Sequence, residues 1–594
     1  MHRFDDDTSL PQTISSLFSH ALFLPVVGAL IAILLIKRFA STRHEAAIHF
    51  TWNKPVEADL SWEGEIIKQP HLHSHGPSTV TSYDPSSGSL IATFPSLSPS
   101  SVDAQIQLAT NASKSWSRTT FAQRRQVLRS LTQWIINNKE EIAQVCVRDT
   151  GKGMLDAALG EVLTTLEKLD WMIRYGEYYL KPEKRPTSWL IAHKVSHVHY
   201  EPLGVVGAIV SWNYPFHNLL SPVIAALMSG NAIVIKTSEN VAWSSSSFAA
   251  AIRSCLEACG HSPDIVQVLI GCEGEAARSL TRSREISHLT FIGSDKVGKE
   301  IAKDAAENLL PVTLELGGKD PCILLEDADV DFFKDVFMKA TFTGAGQGCI
   351  IAERFIVHKK MYDHFLATMS PLVAQLKPGR DVGAMINGVR LAGLQKMVDE
   401  AVAQGARLLV GGKKYAHPDM PEAHYFEPTL LADVTMDMEI AKQECFAPIM
   451  LVLRAESTDD CIRIANTSIY GLGSSVFGRS KKDCTYVASQ LQCGMVAIND
   501  FGVFYLNQSL PFGGRKSSGY GRFGGPEGLR SLCNIKAVTV DRFFGIIQTP
   551  IPPPLRFTNT NPSKAWSFVC GLIDLVYAPS WAGRLAGVWG LIIA

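Results

Sequence analysis

The chain has 594 residues, which at roughly 150 residues per domain corresponds to three or four structural units and excludes a single small module. With 46% hydrophobic and 19% charged residues it can build large cores, so wholesale disorder is excluded. The 56 Lys and Arg residues balance 57 Asp and Glu residues, and this net charge of −1 offers no basic field for a nucleic acid.

An uncharged apolar segment at residues 21–36 extends back to Leu17, about 20 residues, which is enough to span the ~30 Å of a bilayer core. Aspartates precede it at 5–7, whereas Lys37 and Arg38 follow it. This charge order predicts a membrane anchor at 1–38 with the following chain in the cytosol, and we expect the endoplasmic reticulum membrane. A cleaved signal peptide and a buried core helix are the alternatives.

Residues 39–80 lack hydrophobic periodicity and are predicted to be a polar linker. His71, His73 and His75 alternate in this segment. Alternating histidines in an aperiodic polar stretch are more often solvated than bound to a metal, so no metal site is predicted.

The middle of the chain alternates short apolar runs with helical patterns. The predicted strands are 205–210, 232–236, 266–270, 288–292 and 312–316. The predicted helices between them are 216–228, 241–258, 274–281 and 296–306. Strands joined by helical crossovers form a parallel, doubly wound sheet, whose ligand lies at the carboxyl ends of the strands.

No G-x-G-x-x-G motif follows any of these strands. Gly293 and Ser294 follow the fourth strand and open a helix whose free N–H groups suit a pyrophosphate, although an ordinary helix cap has the same appearance. Lys236 and Glu239 follow the second strand and suit ribose hydroxyls, with a surface ion pair as the alternative.

Three groups suited to acyl chemistry follow from the same topology. The 12 cysteines include no CxxC pair, which argues against a disulfide framework or a zinc cluster. Cys349 lies in a run of small residues where a thiol can be exposed, although most cysteines are simply buried. Glu315 ends the fifth strand, and Asn213 follows the first strand.

The tail at 546–594 is rich in proline and then apolar from residue 565 onward. Asp574, Pro579 and Arg584 divide the apolar part into two pieces that are too short to span a bilayer. We expect a helical hairpin in the membrane interface, with three tryptophans at headgroup depth, Trp566, Trp581 and Trp589. The alternative is packing on the chain's own domain or on a partner subunit.

Seven motifs in order across roughly residues 80–540 closely resemble the aldehyde dehydrogenase superfamily, and with the apolar N-terminus they resemble its fungal membrane-anchored branch. They are Ser211–Phe216, Lys236–Glu239, Phe291–Ser294, Glu315–Lys319, Gly346–Cys349 with Arg354, Glu444–Pro448 and Pro511–Arg522.

The resemblance implies an α/β fold with a doubly wound parallel-sheet cofactor domain at 80–182 and 202–314 and an α/β catalytic domain at 315–525. A small β bridging element would combine 183–201 with 530–545 and build a homodimer or tetramer. The alternating stretch at 189–200 suits an exposed strand of that element.

The resemblance also implies that Cys349 attacks the aldehyde, that Asn213 holds the oxyanion and that Glu315 activates the hydrolytic water. The residues that it assigns to the cofactor are Trp212, Lys236, Glu239, Gly293, Ser294, Glu444 and Phe446. A carboxylate at Glu239 disfavours a 2′-phosphate, so NAD is favoured over NADP, which stays open.

The expected substrate is a small-molecule aldehyde of lipid origin with a medium or long chain. Two features suggest this substrate: the predicted membrane anchor and an aromatic wall formed by Phe501, Phe504 and Tyr505. The alternatives are a catalytically inactive scaffold, a CoA-acylating semialdehyde dehydrogenase and a non-enzymatic membrane interaction protein.

Overall fold

The computed structural model describes residues 45–70, 79–546, 550–558 and 560–594. The predicted anchor at 1–38 and the three histidines at 71–75 lie outside these ranges. Within them, no helix is both long enough and apolar enough to cross a membrane. The chain forms two compact units: the first extends to Glu177 and includes Leu203–Leu532, and the second comprises Tyr178–Pro202 and Cys533–Ala594.

The strands in chain order are β1 (Thr79–Tyr83), β2 (Leu90–Pro95), β3 (Glu183–Arg185), β4 (Lys194–Pro202), β5 (Val205–Ile209), β6 (Ala232–Lys236), β7 (Val266–Leu269), β8 (Leu289–Gly293), β9 (Val312–Leu316), β10 (Asp320–Leu324), β11 (Ala352–His358), β12 (Arg407–Val410), β13 (Lys414–Tyr415), β14 (Tyr425–Phe426), β15 (Thr429–Ala432), β16 (Ile449–Ala455), β17 (Ser475–Phe477), β18 (Ala497–Ile498), β19 (Gly519–Tyr520) and β20 (Cys533–Asp541).

The α-helices are α1 (Pro99–Trp116), α2 (Phe121–Asn137), α3 (Lys139–Thr150), α4 (Met154–Ala157), α5 (Thr164–Leu180), α6 (Pro215–Ser229), α7 (Ala242–Ala258), α8 (Gly274–Arg282), α9 (Asp295–Ala306), α10 (Val330–Phe342), α11 (Lys359–Gln375), α12 (Val389–Ala403), α13 (Glu439–Lys442), α14 (Thr458–Asn466), α15 (Lys481–Gln490), α16 (Val503–Leu506), α17 (Gly525–Ser531), α18 (Pro562–Tyr577) and α19 (Trp581–Ile593). A π-helical turn at Ala158–Leu163 joins α4 to α5.

One sheet of the first unit has the described strand order β19-β9-β8-β5-β6-β7. Strands β5 to β9 pair in parallel, and they coincide within one residue with the five predicted strands. Helices α6 to α9 match the predicted crossovers equally closely. The prediction of an α/β fold with a parallel, doubly wound sheet is confirmed.

The second large sheet has the described order β12-β15-β16-β11-β10-β17-β18 and is parallel except for the β12–β15 pair. Residues 317–319 connect the first sheet to the second, directly after β9, which contains Glu315. The range predicted as catalytic domain also returns to the first sheet, because β19 pairs antiparallel with β9. At Gly519, with φ 99°, a Cβ atom would lie 2.1 Å from the Leu314 carbonyl oxygen.

Part of the predicted polar linker is instead packed structure. The Trp52 indole donates to the Ser247 carbonyl oxygen at 3.1 Å, and its ring lies 5.4 Å from that of Trp134. The Ile48 amide donates to Ser130 Oγ at 2.9 Å, and Phe50 is buried. The three large apolar residues alternate with polar ones, a strand-like spacing that the prediction overlooked.

The second unit contains a three-stranded antiparallel sheet, β20-β4-β3, from the ranges predicted as the bridging element. Its central strand starts at Lys194 rather than at the predicted residue 189, because Trp189–Ile191 form a 3₁₀ turn. The C-terminal helices α18 and α19 approach each other closely where Gly571 meets Gly587.

A buried ion pair in the first unit joins segments that lie far apart in the chain. Lys319, at the passage between the sheets, pairs with Glu353 of β11, and both side chains are at most 3% exposed. The two oxygens of Glu353 accept from the backbone amides of Cys445 and Phe446, each at 2.9 Å. One carboxylate therefore fixes the loop before β16 against the start of β10.

Arg354 extends this junction. Its Nε donates to the Lys319 carbonyl oxygen at 2.8 Å, and its Nη atoms donate to the Ile464 and Ala465 carbonyl oxygens at 3.2 Å. Burial lowers the pKa of Arg354 to about 10. Its planar set of donors therefore holds the end of α14 as well.

We expect Lys319→Met to lower the free energy of unfolding by about 3–5 kcal/mol, because it leaves the Glu353 carboxylate buried without its cation. The matched control is Lys359→Met, which breaks the exposed pair with Glu456 and should cost about 0–1 kcal/mol. Urea unfolding midpoints measure both variants. Equal shifts in the two variants would contradict a structural role of the buried pair.

Candidate active site

A cleft lies in the first unit, and its empty space, counting the part that is open to solvent, is about 980 Å³. Eight of the ten predicted site residues line it: Trp212, Asn213, Gly293, Ser294, Glu315, Cys349, Glu444 and Phe446. The other two, Lys236 and Glu239, lie at the end of β6 and pair with each other at 3.4 Å. These eight residues come from the ends of β5, β8 and β9 and from the loops before β11 and β16.

The loop that carries Cys349 is held by the residues that precede it. The Gln347 side chain donates to the Ala384 carbonyl oxygen at 3.1 Å and accepts from the Ile386 amide at 2.9 Å. At Gly346, with φ 71°, a Cβ atom would lie 2.1 Å from the Ala447 carbonyl oxygen. The loop therefore packs backbone to backbone on the segment after Glu444, which requires glycine.

The orientation of the Asn213 amide is fixed by its neighbours. Its Oδ1 accepts from Ser211 Oγ at 2.7 Å and from Asn218 Nδ2 at 3.3 Å. Its Nδ2 donates to the Gln347 carbonyl oxygen at 3.0 Å. Because an amide nitrogen carries two protons, the second proton can serve an oxyanion beside Cys349.

Two residues that the sequence analysis did not predict, Lys152 and Glu161, hold the backbone around Asn213. Buried Lys152 donates to Glu161 at 2.7 Å and to the Asn213 carbonyl oxygen at 2.7 Å. The other oxygen of Glu161 accepts from the Phe216 and His217 amides at the start of α6. The available signal was a pair of opposite charges nine residues apart in a stretch of small and apolar residues.

Glu315 is a buried carboxyl group whose pKa lies close to neutral pH. Burial raises its pKa to about 8, the hydrogen bond with Cys349 opposes that rise, and the nearby Glu444 adds to it. Its Oε1 has no hydrogen-bond partner in the described part of the chain. A carboxyl group with one oxygen free of hydrogen bonds and a pKa close to neutral pH suits proton transfer to or from a bound water.

The Cys349 thiol lies among acidic groups. Burial and the neighbouring Glu315 raise its pKa well above the usual value. Burial also raises the pKa of Glu444 to about 7, although its Oε1 accepts from the Gly318 amide at 2.9 Å. The resting thiol is therefore protonated, and reaction requires a base at hand.

The remaining predicted residues form a set that fits a dinucleotide. Ser294 caps the twelve-residue helix α9, but its exposed side chain makes no capping hydrogen bond, so the first-turn amides remain available to a phosphate. Lys236 and Glu239 offer a donor and an acceptor for ribose hydroxyls. Trp212 and Phe446 meet edge to face at 5.6 Å on the cleft wall.

The aromatic wall differs in part from its prediction. Tyr505 lines the cleft, together with Phe512 and Phe523. Phe504 is instead buried in a hydrophobic cluster, and Phe501 packs on the core of the seven-stranded sheet. Because α16 covers Val503–Leu506, successive aromatic residues point in different directions, which an extended reading of this segment could not anticipate.

Comparisons with known proteins point to one family. The model of the aldehyde dehydrogenase family matches residues 71–538. An aldehyde dehydrogenase-like protein of Schizosaccharomyces pombe is 46% identical over 86% of this chain and 99% of its own length. The mitochondrial succinate-semialdehyde dehydrogenase of Arabidopsis thaliana is 33% identical over 80% of this chain and 88% of its own.

A solved structure has the same fold. PnpE of Pseudomonas sp. WBC-3, in its complex with nicotinamide adenine dinucleotide, superposes with a TM-score of 0.74 at 28% identity, covering 80% of this chain and 96% of that one. On the family match and these relatives, the chain belongs to the aldehyde dehydrogenase family.

Proposed function

We propose that this chain oxidises an aldehyde to a carboxylic acid through a covalent intermediate on Cys349, with NAD(P) as cofactor and water as the final acyl acceptor. The observation that carries the proposal is the contact of the Cys349 thiol with Glu315 in a cleft that also holds the Asn213 amide. The family supports NAD(P)-dependent aldehyde oxidation in general.

In the first half of the reaction the sulfur of Cys349 bonds to the carbonyl carbon, and Glu315 takes the thiol proton. The Asn213 Nδ2 and the Cys349 backbone N–H donate to the oxygen, which becomes negative as the carbon becomes tetrahedral. Bound NAD(P) supplies the hydride acceptor, and the acyl group remains on Cys349 as a thioester.

Between the two halves Glu315 releases the thiol proton to solvent. In the second half it removes a proton from water, the oxygen bonds to the thioester carbon, and the carbon–sulfur bond breaks as Glu315 returns a proton to the sulfur. The products are the carboxylic acid and the Cys349 thiol. The buried carboxyl group that faces Cys349 favours water over CoA as acyl acceptor, and it favours an active enzyme over an inactive scaffold.

We expect Glu315→Gln to lower the steady-state rate at least about hundredfold, because it removes the base for hydrolysis. A slower first burst of about one NADH per active site should survive, since the Cys349 thiol can still lose its proton to solvent and form the thioester. Stopped-flow fluorescence of NADH measures both phases.

The same base predicts a pH dependence. Glu315 acts as a base only when ionised, so the wild-type kcat should rise as the pH increases through about 8, and Glu315→Gln should lose that rise. The exposed Glu285→Gln is the control and should keep it. A Glu315→Gln enzyme with the wild-type rate and pH profile would rule out this role.

We propose NAD rather than NADP as the preferred cofactor, and an apolar aldehyde of medium or long chain, of lipid origin, as substrate. Support for the cofactor is the Glu239 carboxylate at the end of β6, where it would repel a 2′-phosphate. Support for the substrate is the aromatic wall of Tyr505, Phe512 and Phe523.

A panel of aldehydes from propanal to hexadecanal, assayed with each cofactor, tests both parts. The value of kcat/KM should increase with chain length, because each buried CH₂ contributes about 0.8 kcal/mol, and it should be higher with NAD. A profile that peaks at small polar aldehydes, or higher values with NADP, would contradict the respective part.

We also propose that the chain is held on the endoplasmic reticulum membrane with the enzyme facing the cytosol, by the apolar segment in 1–38 and by the C-terminal hairpin of α18 and α19. The hairpin packs through glycine: a Cβ atom on Gly587 would lie 2.6 Å from the Gly571 carbonyl oxygen. Its large side chains face outward, with Trp566, Trp581 and Trp589 each at least 65% exposed.

Small residues between helices with large apolar residues outside are typical of helices packed in lipid, whereas a hairpin in water places its large side chains inside. With 16 and 13 residues, the two helices suit the membrane interface rather than a span.

Vesicle flotation of chains with and without residues 1–44 separates the two anchors. We expect the shortened chain to bind phospholipid vesicles, and joint replacement of the three hairpin tryptophans by alanine to lower its partition coefficient at least about tenfold. Phe332→Ala, at a residue 75% exposed in the first unit, is the control. Unchanged binding of the triple variant would contradict the role of the hairpin.

Self-association as a homodimer or tetramer is a further part of the proposal. Strand β20 lies at the edge of the described three-stranded sheet and exposes Ile535 and Val540. An exposed apolar edge strand suits pairing with a second copy of the chain.

A further inference from the structure

A hydrogen-bonded chain runs from the cleft wall into the core of the first unit. Tyr505 Oη lies 2.6 Å from His217 Nε2, and His217 Nδ1 lies 2.9 Å from Thr165 Oγ1. Thr165 Oγ1 in turn donates to the Glu161 carbonyl oxygen at 2.6 Å. His217 and Thr165 are at most 1% exposed, so water does not compete for these contacts.

The positions of the protons follow from the far end of this chain. A carbonyl oxygen only accepts, so the single hydroxyl proton of Thr165 is used on Glu161, and towards His217 the threonine can only accept. His217 Nδ1 must therefore carry a proton. The ring is neutral, because burial and the nearby Lys168 lower the pKa of His217 to about 3.

A neutral imidazole with a proton on Nδ1 has a bare Nε2, which can only accept. Tyr505 must then donate its phenol proton to His217. The phenol oxygen on the cleft wall is left with lone pairs alone, so it can accept a hydrogen bond from a substrate but cannot donate one.

The charges of the cleft point the same way. The charged residues among its described lining are Glu315, Glu444 and Arg390. The Arg390 guanidinium lies 6.0 Å from the Phe446 ring centroid and donates to the Cys445 carbonyl oxygen at 3.2 Å, so it serves the side of the cleft assigned to the cofactor. A carboxylate beside Tyr505 would therefore meet lone pairs and aromatic rings.

We propose that Tyr505, oriented by His217 and Thr165, is a specificity-determining residue that selects uncharged aldehydes, apolar or hydroxyl-bearing, against aldehydes that end in a carboxylate. This inference rests on the proposed aldehyde oxidation and adds the rule by which substrates are accepted. His217 and Thr165 act as positioning residues, since they reach the substrate only through the phenol.

Three short aldehydes of similar size test the rule: pentanal, 4-hydroxybutanal and succinate semialdehyde. For the wild type we expect kcat/KM to be at least about thirtyfold higher for pentanal than for succinate semialdehyde, given about 2 kcal/mol for a buried polar group without a partner. Equal values for the two substrates would overturn the proposal.

Thr165→Val removes the acceptor that fixes the imidazole, at nearly constant volume. His217 can then carry its proton on Nε2 and donate to Tyr505, which frees the phenol proton to bind a carboxylate. We expect the ratio of pentanal to succinate semialdehyde to fall about tenfold. A purely structural role of Thr165 would lower both values together and leave the ratio unchanged, which would overturn the proposal.

Tyr505→Phe is the matched second variant. It should lose the activity with 4-hydroxybutanal relative to pentanal, because the acceptor for the substrate hydroxyl is gone, while succinate semialdehyde remains a poor substrate. A ratio of kcat/KM for 4-hydroxybutanal to that for pentanal that stays at the wild-type value would contradict direct contact between Tyr505 and the substrate.

A readout independent of turnover separates this inference from the proposed function. Nitrogen NMR of the full chain labelled at histidine, with His217→Gln for assignment, reports which ring nitrogen carries the proton. A proton on Nδ1 supports the orientation even if no aldehyde is oxidised, a result that would contradict only the proposed function. A proton on Nε2 would overturn the inference.

Discussion

The geometry of the cleft depends on the buried contact between Lys319 and Glu353. Lys319 lies where the chain leaves the cofactor sheet, and Glu353 lies four residues after Cys349. The backbone amides that Glu353 binds follow directly on Glu444, and one of them belongs to Phe446, whose φ is 51°. A left-handed backbone at a bulky residue is costly, and it persists only where the surrounding structure holds it. The ion pair thus fixes the relative positions of the Cys349 thiol, the carboxyl groups of Glu315 and Glu444, and the Phe446 ring.

The same burial sets the chemistry. Cys349, Glu315 and Glu444 are three acids in one poorly solvated cleft. Glu444 adds to the raised pKa of Glu315, and both carboxyl groups raise the pKa of Cys349. Because like charges this close cannot all form, the groups titrate together and protons are shared among them. The protein stabilises charge elsewhere, at Asn213, whose amide is aligned by Ser211 and Asn218. Such a site keeps its nucleophile neutral at rest and forms charge when a polarisable carbonyl and a donor for its oxygen are both in place.

Much of the cofactor half was predictable, because buried parallel strands are continuous runs of Val, Ile and Leu between turns. The five strands, the last of which contains Glu315, and the residues that follow them, including Asn213, could be located from that pattern. The buried pairs could not, since Lys319 and Glu353 lie 34 residues apart and Glu161 meets His217 across 56 residues. No local periodicity records such contacts. The packing of Trp52 on Ser247, 195 residues away, was missed for the same reason. The prediction of the aromatic wall was partly wrong because the short helix α16 points neighbouring aromatic side chains in different directions.

The central claim is that oxidation passes through an acyl group bonded to the sulfur of Cys349. Mass spectrometry of peptides from Glu315→Gln, quenched in acid after incubation with hexanal and NAD, tests it most directly. The account predicts a hexanoyl group on the peptide that contains Cys349, removed by hydroxylamine and absent when NAD is omitted. An unmodified Cys349 peptide after NADH has formed would contradict the account.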